Sequence, residues 1–502
     1  MKVFSKINRA YYFAFLMLSI FAVGCKKDKK VTPDTEVPTT GTRDELTKDS
    51  IYLYAKQTYF WNNSLPDYAT FNPRKFSSFD AELFALTQYS LNPATGKPYE
   101  YTGTAGEPKY SFIDDGSVST QLGGTAGDYG FSVFYNSPSD LRIKYVYGGS
   151  PAASAGLKRG YQITKLNGKT GLTTSDADIN YVVNAIFGDA ASVSMTVKKP
   201  DGTQQDVVVA KATYALNPII LSKVFTVGAK KVAYIVFNSF TTNSSPALKQ
   251  VFSDFSAQGA TEVIVDLRYN GGGSVGTAGD LVNLIAPATQ NGKVMYTTVF
   301  NQTMQSGQAT ILKNQKFYQG STMYSYYDFD YKPTTAAGNV ELFSKIGAAS
   351  INRAYFIVTG STASASELTI NSLKPIMDVK LIGKKTYGKP VGFFAIHIDK
   401  YDMYIPQFET QNQLGVGAYY DGLSVDKEDN DDVTKDFGDP TEKLLSYALG
   451  YSANGMFATS NPKNGTIAGA PAFTSSEIEH ITSELDRKQF KGMIKQESKS
   501  NK

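Results

Sequence analysis

The order of apolar and polar positions divides this chain into stretches of different period. Over residues 43–112, Leu46, Ile51, Leu53, Tyr54 and Tyr59 recur three or four apart, as one face of a helix requires. Leu65-Pro66 should break that helix, and a second helical stretch runs from Phe79 to Leu91. A small helical N-terminal domain is predicted, with its aromatics, including Trp61, as core. Over 120–212 the period shortens to two. Tyr129-Gly130-Phe131-Ser132-Val133-Phe134, Leu141 to Val146 and Ala191 to Val197 alternate or run apolar, as strands do. Between them, Ser150-Pro151 starts a short helix, a strand follows from Ile163, and Asn167-Gly168 is a hairpin turn. Over 225–450, short, mostly apolar runs alternate with helical patterns. Val232–Phe237, Val263–Leu267, Tyr355–Val358 and Val379–Gly383 read as buried strands, with helices over Ser245–Phe255 and from about Thr277 to Ile285. The stretch 290–350 is weakly periodic and reads as an insertion or lid. Leu444, Leu445 and Ala448 mark a closing helix, and the tail 451–502 is expected to be weakly ordered, with a candidate short amphipathic helix from Ser476. The fold class is α/β and multidomain: a helical N-terminal part, a β-rich part and an α/β part.

Composition narrows the function. The chain has 502 residues and a formal net charge of +4, but residues 1–30 hold seven basic groups against one acid. The remainder, with 43 basic and 45 acidic residues, has no basic footprint of a nucleic-acid binder. One cysteine excludes an intrachain disulfide or a Cys-rich zinc site. The two histidines, His397 and His480, leave little for a metal centre and argue against a Ser-His-Asp triad. Lys2, Lys6 and Arg9 precede an apolar run from Tyr11 to Val23, which suits a secretory signal and is too short to span a bilayer. Phe21-Ala22-Val23-Gly24-Cys25 resembles a bacterial lipobox. Residues 1–24 are then a lipoprotein signal peptide, Cys25 the lipidated N-terminus, and 25–42 a flexible tether standing off a cell-envelope membrane. An ordinary signal peptide with an incidental cysteine is the other reading. The acidic run from Asp426 to Asp432 lacks EF-hand spacing and reads as a solvated loop.

Two residues carry candidate chemistry. Ser364 lies in Gly360-Ser361-Thr362-Ala363-Ser364-Ala365-Ser366-Glu367, and Lys389, 25 positions later, in Thr386-Tyr387-Gly388-Lys389. Each follows an apolar strand. Ser364 and Glu367 also fit a helix-capping box, which leaves a purely structural reading open. A serine that opens a helix nevertheless stands beside amides, starting with that of Ala365, that face developing negative charge. A lysine acts as a base only when neutral, and Tyr387, Val391, Phe393 and Phe394 are apolar enough to bury it.

Taken together, these segments resemble the carboxyl-terminal processing, or tail-specific, serine peptidases. The family carries its nucleophile in a Gly-Ser/Thr-Ala-Ser-Ala-Ser-Glu motif and its base in a Thr-Phe/Tyr-Gly-Lys motif about 25 residues on. Asp266-Leu267-Arg268-Tyr269-Asn270-Gly271-Gly272-Gly273 resembles the family loop that adds a second oxyanion N–H, here from Gly272 or Gly273 beside Ala365. Gly149-Ser150-Pro151-Ala152-Ala153-Ser154-Ala155-Gly156-Leu157 resembles a PDZ domain, whose carboxylate-binding loop would be Tyr129-Gly130-Phe131. The resemblance, over roughly 120–450, implies a Ser-Lys peptidase domain at 225–450 behind a PDZ-like domain at 120–212. It implies polypeptide substrates with free C-termini and no metal or organic cofactor. Phe393 stands where many members have a glutamine that orients the lysine, so Gln407 is the candidate substitute. A PDZ-bearing peptide-binding scaffold with weak or no catalysis, and a hydrolase of non-peptide acyl bonds, are the rival readings.

Overall fold

The computed structural model describes residues 37–457 and 473–495; the signal peptide, Cys25 and most of the tether lie outside them. Helix α1 (Arg43–Thr58) starts at a reciprocal cap, with the Glu45 N–H donating to the Thr42 hydroxyl and the Thr42 N–H to the Glu45 carboxylate. Helix α2 (Phe79–Thr87) follows after the break at Pro66, capped by Ser78. Ile51, Tyr52, Phe71 and Leu83 join one apolar cluster with Val263, Phe356 and Phe408, so these helices pack onto the body that carries the strands.

The β-rich part is an antiparallel sheet of β1 (Phe131–Ser137), β2 (Asp140–Val146), β3 (Gln162–Leu166), β4 (Ser192–Lys198) and β5 (Gln204–Ala210), in that spatial order. Asn167 and Gly168 both take positive φ, as their two-residue turn demands, and pair β3 with Lys169–Thr170. Helix α3 (Asp176–Phe187) covers the sheet with Ile179, Val182 and Val183 against Val133, Ile143 and Val193.

In the α/β part, β6 (Ile219–Val227) forms an antiparallel hairpin with β7 (Lys230–Phe237). Then β8 (Glu262–Asp266), β9 (Arg353–Val358), β10 (Asp378–Gly383) and β11 (Lys427–Glu428) continue the sheet in parallel. Alternate residues of β7 bury on opposite faces. Ala233, Ile235 and Phe237 meet α4 (Ser245–Ala257), α5 (Val275–Ile285) and α6 (Ala365–Leu373), whereas Val232, Tyr234 and Val236 meet α7 (Lys443–Asn454). Covering both faces is why these strands read as unbroken apolar runs. Within 290–350, the strands Val294–Phe300 and Val340–Leu342 join Phe408–Asn412 and Val391–Gly392 in a second sheet.

Two expectations need correction. The acidic run is not simply solvated: Asp431 is buried in ion pairs with Arg159 and Arg268, because buried guanidinium groups need carboxylate partners. The tail is not weakly ordered throughout. Helix α8 (Ser475–Leu485) and the strand Gly492–Ile494 dock on the body, with Ile481 and Leu485 in the core of the β-rich part. Among the described residues, no helix is long and apolar enough to cross a membrane.

Glu82 on α2 is fully buried and neither carboxyl oxygen has a hydrogen-bond partner. Burial pushes its carboxyl up to about 9. The folded chain therefore holds a proton that the unfolded chain releases near pH 4.5, and stability falls as pH rises towards 9. Between pH 5 and pH 8 this group should remove roughly 2–4 kcal/mol, at about 1.4 kcal/mol per pH unit. Denaturant melts of the wild type should show that slope, and Glu82→Gln should flatten it; parallel pH profiles would refute the assignment.

Candidate active site

Three loops leave one edge of the sheet. Because β8, β9 and β10 are parallel, the residues after Asp266, Val358 and Gly383 all emerge at carboxyl ends, where such sheets gather ligands. The loops are stitched together by their backbones. The Ala363 N–H donates to the Asn270 carbonyl at 3.0 Å, and the Tyr387 N–H to the Thr362 carbonyl at 3.0 Å. The Thr362 hydroxyl donates to the Leu267 carbonyl at 2.7 Å.

Ser364 forms the elbow between its loop and α6, at φ +61° and ψ −105°. A non-glycine residue there carries strain of order 1–3 kcal/mol. Ser364 and Glu367 stand in the arrangement of a capping box, without a cap hydrogen bond from the serine side chain. The Ser364 N–H donates to Glu367 at 2.8 Å, but the Ser364 hydroxyl oxygen, buried, has no hydrogen-bond partner.

Glu367 instead joins two loops. One carboxylate oxygen accepts from the N–H groups of Ser364 and Lys389, each at 2.8 Å. The other accepts from the Gly388 N–H at 2.8 Å and the Thr386 hydroxyl at 2.5 Å. Burial pushes this carboxyl up, and the four donors pull it back down. Sequence reasoning saw Glu367 only as a cap. The hydroxyl and glycine of Thr386-Tyr387-Gly388-Lys389 were the available signal that a buried acceptor waits for that loop.

The Lys389 side chain is wholly buried. Burial pushes its amine well below the usual lysine range; Lys109 and Lys491 act in the same direction, and Glu100 and Glu367 oppose them. The amine donates to the carbonyls of Lys491 at 2.7 Å and Tyr110 at 3.3 Å, and sits 4.1 Å from the centre of the Phe393 ring. Phe393 therefore packs against the lysine where a glutamine would hydrogen-bond it. Gln407 does not replace that glutamine: it is spent on the backbone of Phe394, accepting from its N–H at 2.9 Å and donating to its carbonyl at 3.2 Å.

The expected oxyanion groups converge in part. A side chain on Gly272 would lie 3.1 Å from the Ala365 nitrogen, so the two positions are neighbours. Ala365 opens α6, where helical amides lack internal acceptors. The Gly272 N–H, however, donates to the Asn270 side chain at 2.8 Å, which leaves Gly273 and Ala365 as the candidates. Gly272 and Gly273 have φ of +110° and +137°, and side chains there would strike the Gly492 and Phe240 carbonyls.

Tyr129, Gly130 and Phe131 precede and begin β1. The Gly130 N–H donates to Asp128 at 2.8 Å, and a side chain on Gly130 would collide with Ser150. Asp128 and Phe131 line one cavity with Gly271, Gly272, Gln489 and Phe490, so this loop opens towards the glycine loop. His397 and His480 are exposed, at 67% and 63%, away from this chemistry. Among the described residues, no group of three or more His, Cys, Asp and Glu is arranged to hold a metal.

Comparison with known proteins gives this arrangement a family. Residues 231–412 match the model of peptidase family S41, a span that holds the glycine loop, Ser364 and Lys389. A carboxyl-terminal-processing protease of Picosynechococcus sp. is 26% identical over 313 residues, covering 60% of this chain and 65% of the relative. One of Synechocystis sp. is 23% identical over 316 residues, covering 60% and 64%. The matches thus span less than two thirds of either relative. A crystal structure of an S41 protease candidate from Bacteroides fragilis, 23% identical, has the same fold with a TM-score of 0.54, covering 84% of this chain and 100% of that one. Through residues 231–412, this chain is thus similar to peptidase family S41.

Proposed function

We propose that the chain is a serine endopeptidase of the carboxyl-terminal-processing type, with Ser364 as nucleophile and Lys389 as base. The observation that carries this reading is that the backbone N–H of Lys389, whose side chain is wholly buried, and the backbone N–H of the strained Ser364 share one Glu367 carboxylate oxygen. The neutral amine takes the proton from the Ser364 hydroxyl as its oxygen attacks the scissile carbonyl. The tetrahedral oxyanion lies against the amides of Ala365 and the Gly271–Gly273 loop, and water releases the acyl-enzyme. No step calls on a metal or organic cofactor. The β-rich part delivers a polypeptide C-terminus, taken at Tyr129, Gly130 and Phe131 once the Asp128 bond is given up. Cys25 anchors the chain by lipid to a cell-envelope membrane, with residues 25–42 as tether.

One observation favours the scaffold reading: the Ser364 hydroxyl has no hydrogen bond to Lys389, whose amine holds two backbone carbonyls instead. Cleavage of an unfolded protein separates the two. Ser364→Ala and Lys389→Ala should each lower kcat/KM about a thousandfold or more, and equal rates for all three chains would leave only the scaffold.

In the active chain, kcat/KM should rise with pH through an inflection well below the ordinary lysine value of about 10.4. The sign follows from the base being competent only after the amine loses its proton. A profile that falls as pH rises, or whose only rising inflection lies at the ordinary lysine value, would remove Lys389 from that role.

Glu367→Gln sets an amide NH2 against backbone N–H donors. It should cost about 2–4 kcal/mol in urea melts and lower kcat/KM as the loops separate. A variant as stable and active as wild type would show that the carboxylate does not hold the site.

A further inference from the structure

The last described residues lie in the cleft itself. After α8, which packs against α3 and β1, the buried Asp486 accepts from Lys144 of β2 at 2.5 Å and from the hydroxyl of Ser361, in the serine loop, at 2.6 Å. The chain then passes between two backbone edges. On one side Gly492, Met493 and Ile494 pair in parallel with Gly272, Gly273 and Ser274, and the Gly492 N–H donates to the Gly271 carbonyl at 2.8 Å. On the other side the Phe393 N–H donates to the Met493 carbonyl, and the Lys495 N–H to the Phe393 carbonyl, each at 3.0 Å. The Lys491 carbonyl takes the Lys389 amine. The Gly492 carbonyl lies 2.3 Å from a side-chain position on Gly272, the same position that is 3.1 Å from the Ala365 nitrogen.

Recognition through main-chain groups on both edges is available to any extended peptide and is how strand addition works. Side chains add selectivity. A β-carbon on Gly492 would lie 2.8 Å from ring carbons of both Phe393 and Phe490, so any side chain there must push both rings aside. Met493 is fully buried in the main core cluster, beside Gly392, whose own β-carbon would lie 2.6 Å from the Met493 side chain.

We propose that residues 486–495 occupy the substrate groove as a tethered peptide, and that this groove selects an extended chain with glycine opposite Gly272 followed by a long unbranched apolar residue. A substrate enters only by displacing this segment. The substrate clause rests on the peptidase reading above; the occupancy and selectivity of the groove do not.

The test uses the full chain. Gly492→Val and, independently, Met493→Asp should expel the segment while leaving the body folded. By hydrogen exchange and mass spectrometry, amides 490–495 of the wild type should exchange at least about 100-fold slower than in the free peptide, and both variants should lose that protection. A labelled peptide of residues 488–495 should bind the Ser364→Ala/Gly492→Val chain at least about tenfold more tightly than Ser364→Ala alone, whose groove is filled. The same peptide with valine for its glycine should not bind. Fast exchange in the wild type, equal binding to the filled and emptied chains, or equal binding of the valine peptide would overturn the proposal. Gly492→Val should also cleave unfolded protein at least about tenfold faster than wild type; an unchanged, measurable rate would overturn the displacement step. If exchange and binding behave as stated while no form of the chain cleaves anything, the groove assignment stands and the peptidase reading fails.

Discussion

The catalytic edge depends on one buried carboxylate. Removing Glu367 from water is expensive, and only its four short donor contacts make it tolerable. Three of those donors are backbone amides, so the carboxylate fixes main chain rather than side chains. It thereby couples the elbow at Ser364 to the loop that ends in Lys389, and it holds the serine at a φ it would not choose alone. The serine hydroxyl is buried without a hydrogen bond, while the buried lysine amine donates to the Lys491 and Tyr110 carbonyls.

A second set of buried charges joins the parts of the molecule. Arg268, at the end of β8, meets Asp266, Asp431 and Glu442, and Arg159 from the β-rich part shares Asp431. Breaking such a cluster strands a charge in the interior, so the parts are held in register by electrostatics as well as by apolar contact. Asp486 repeats the device on a smaller scale, pairing with Lys144 and with Ser361. One continuous piece of chain therefore touches both parts, with α8 on the β-rich part and Gly492–Ile494 paired with the glycine loop.

What could be read from residues alone was local or doubly buried. The strands Val232–Phe237 and Val263–Asp266 announced themselves because both faces are covered. Ser150-Pro151 and Asn167-Gly168 carry their geometry in two residues each. Ser364 and Lys389 were visible through their motifs, and the parallel order of β8, β9 and β10 explains why such distant segments share an edge. What stayed hidden is long-range. Glu367 looked like half of a cap, since its bonds to Thr386, Gly388 and Lys389 leave no periodic trace. Gln407 suggested itself by type, yet the backbone of Phe394 takes both ends of its amide. Asp431 and the tail were polar by composition, and only partners hundreds of positions away, such as Lys144 for Asp486, bury them.

The seating of residues 486–495 also changes how concentration should be counted. A segment carried on the same chain meets the cleft at an effective concentration of the order of millimolar. A peptide free in dilute solution competes poorly with that, however well its side chains fit. Partners presented at comparable local density, such as polypeptides crowded on one surface or emerging in quantity from a common source, would have the advantage. Displacement of the attached segment would thus answer to how many candidate chains are close by as well as to the affinity of each.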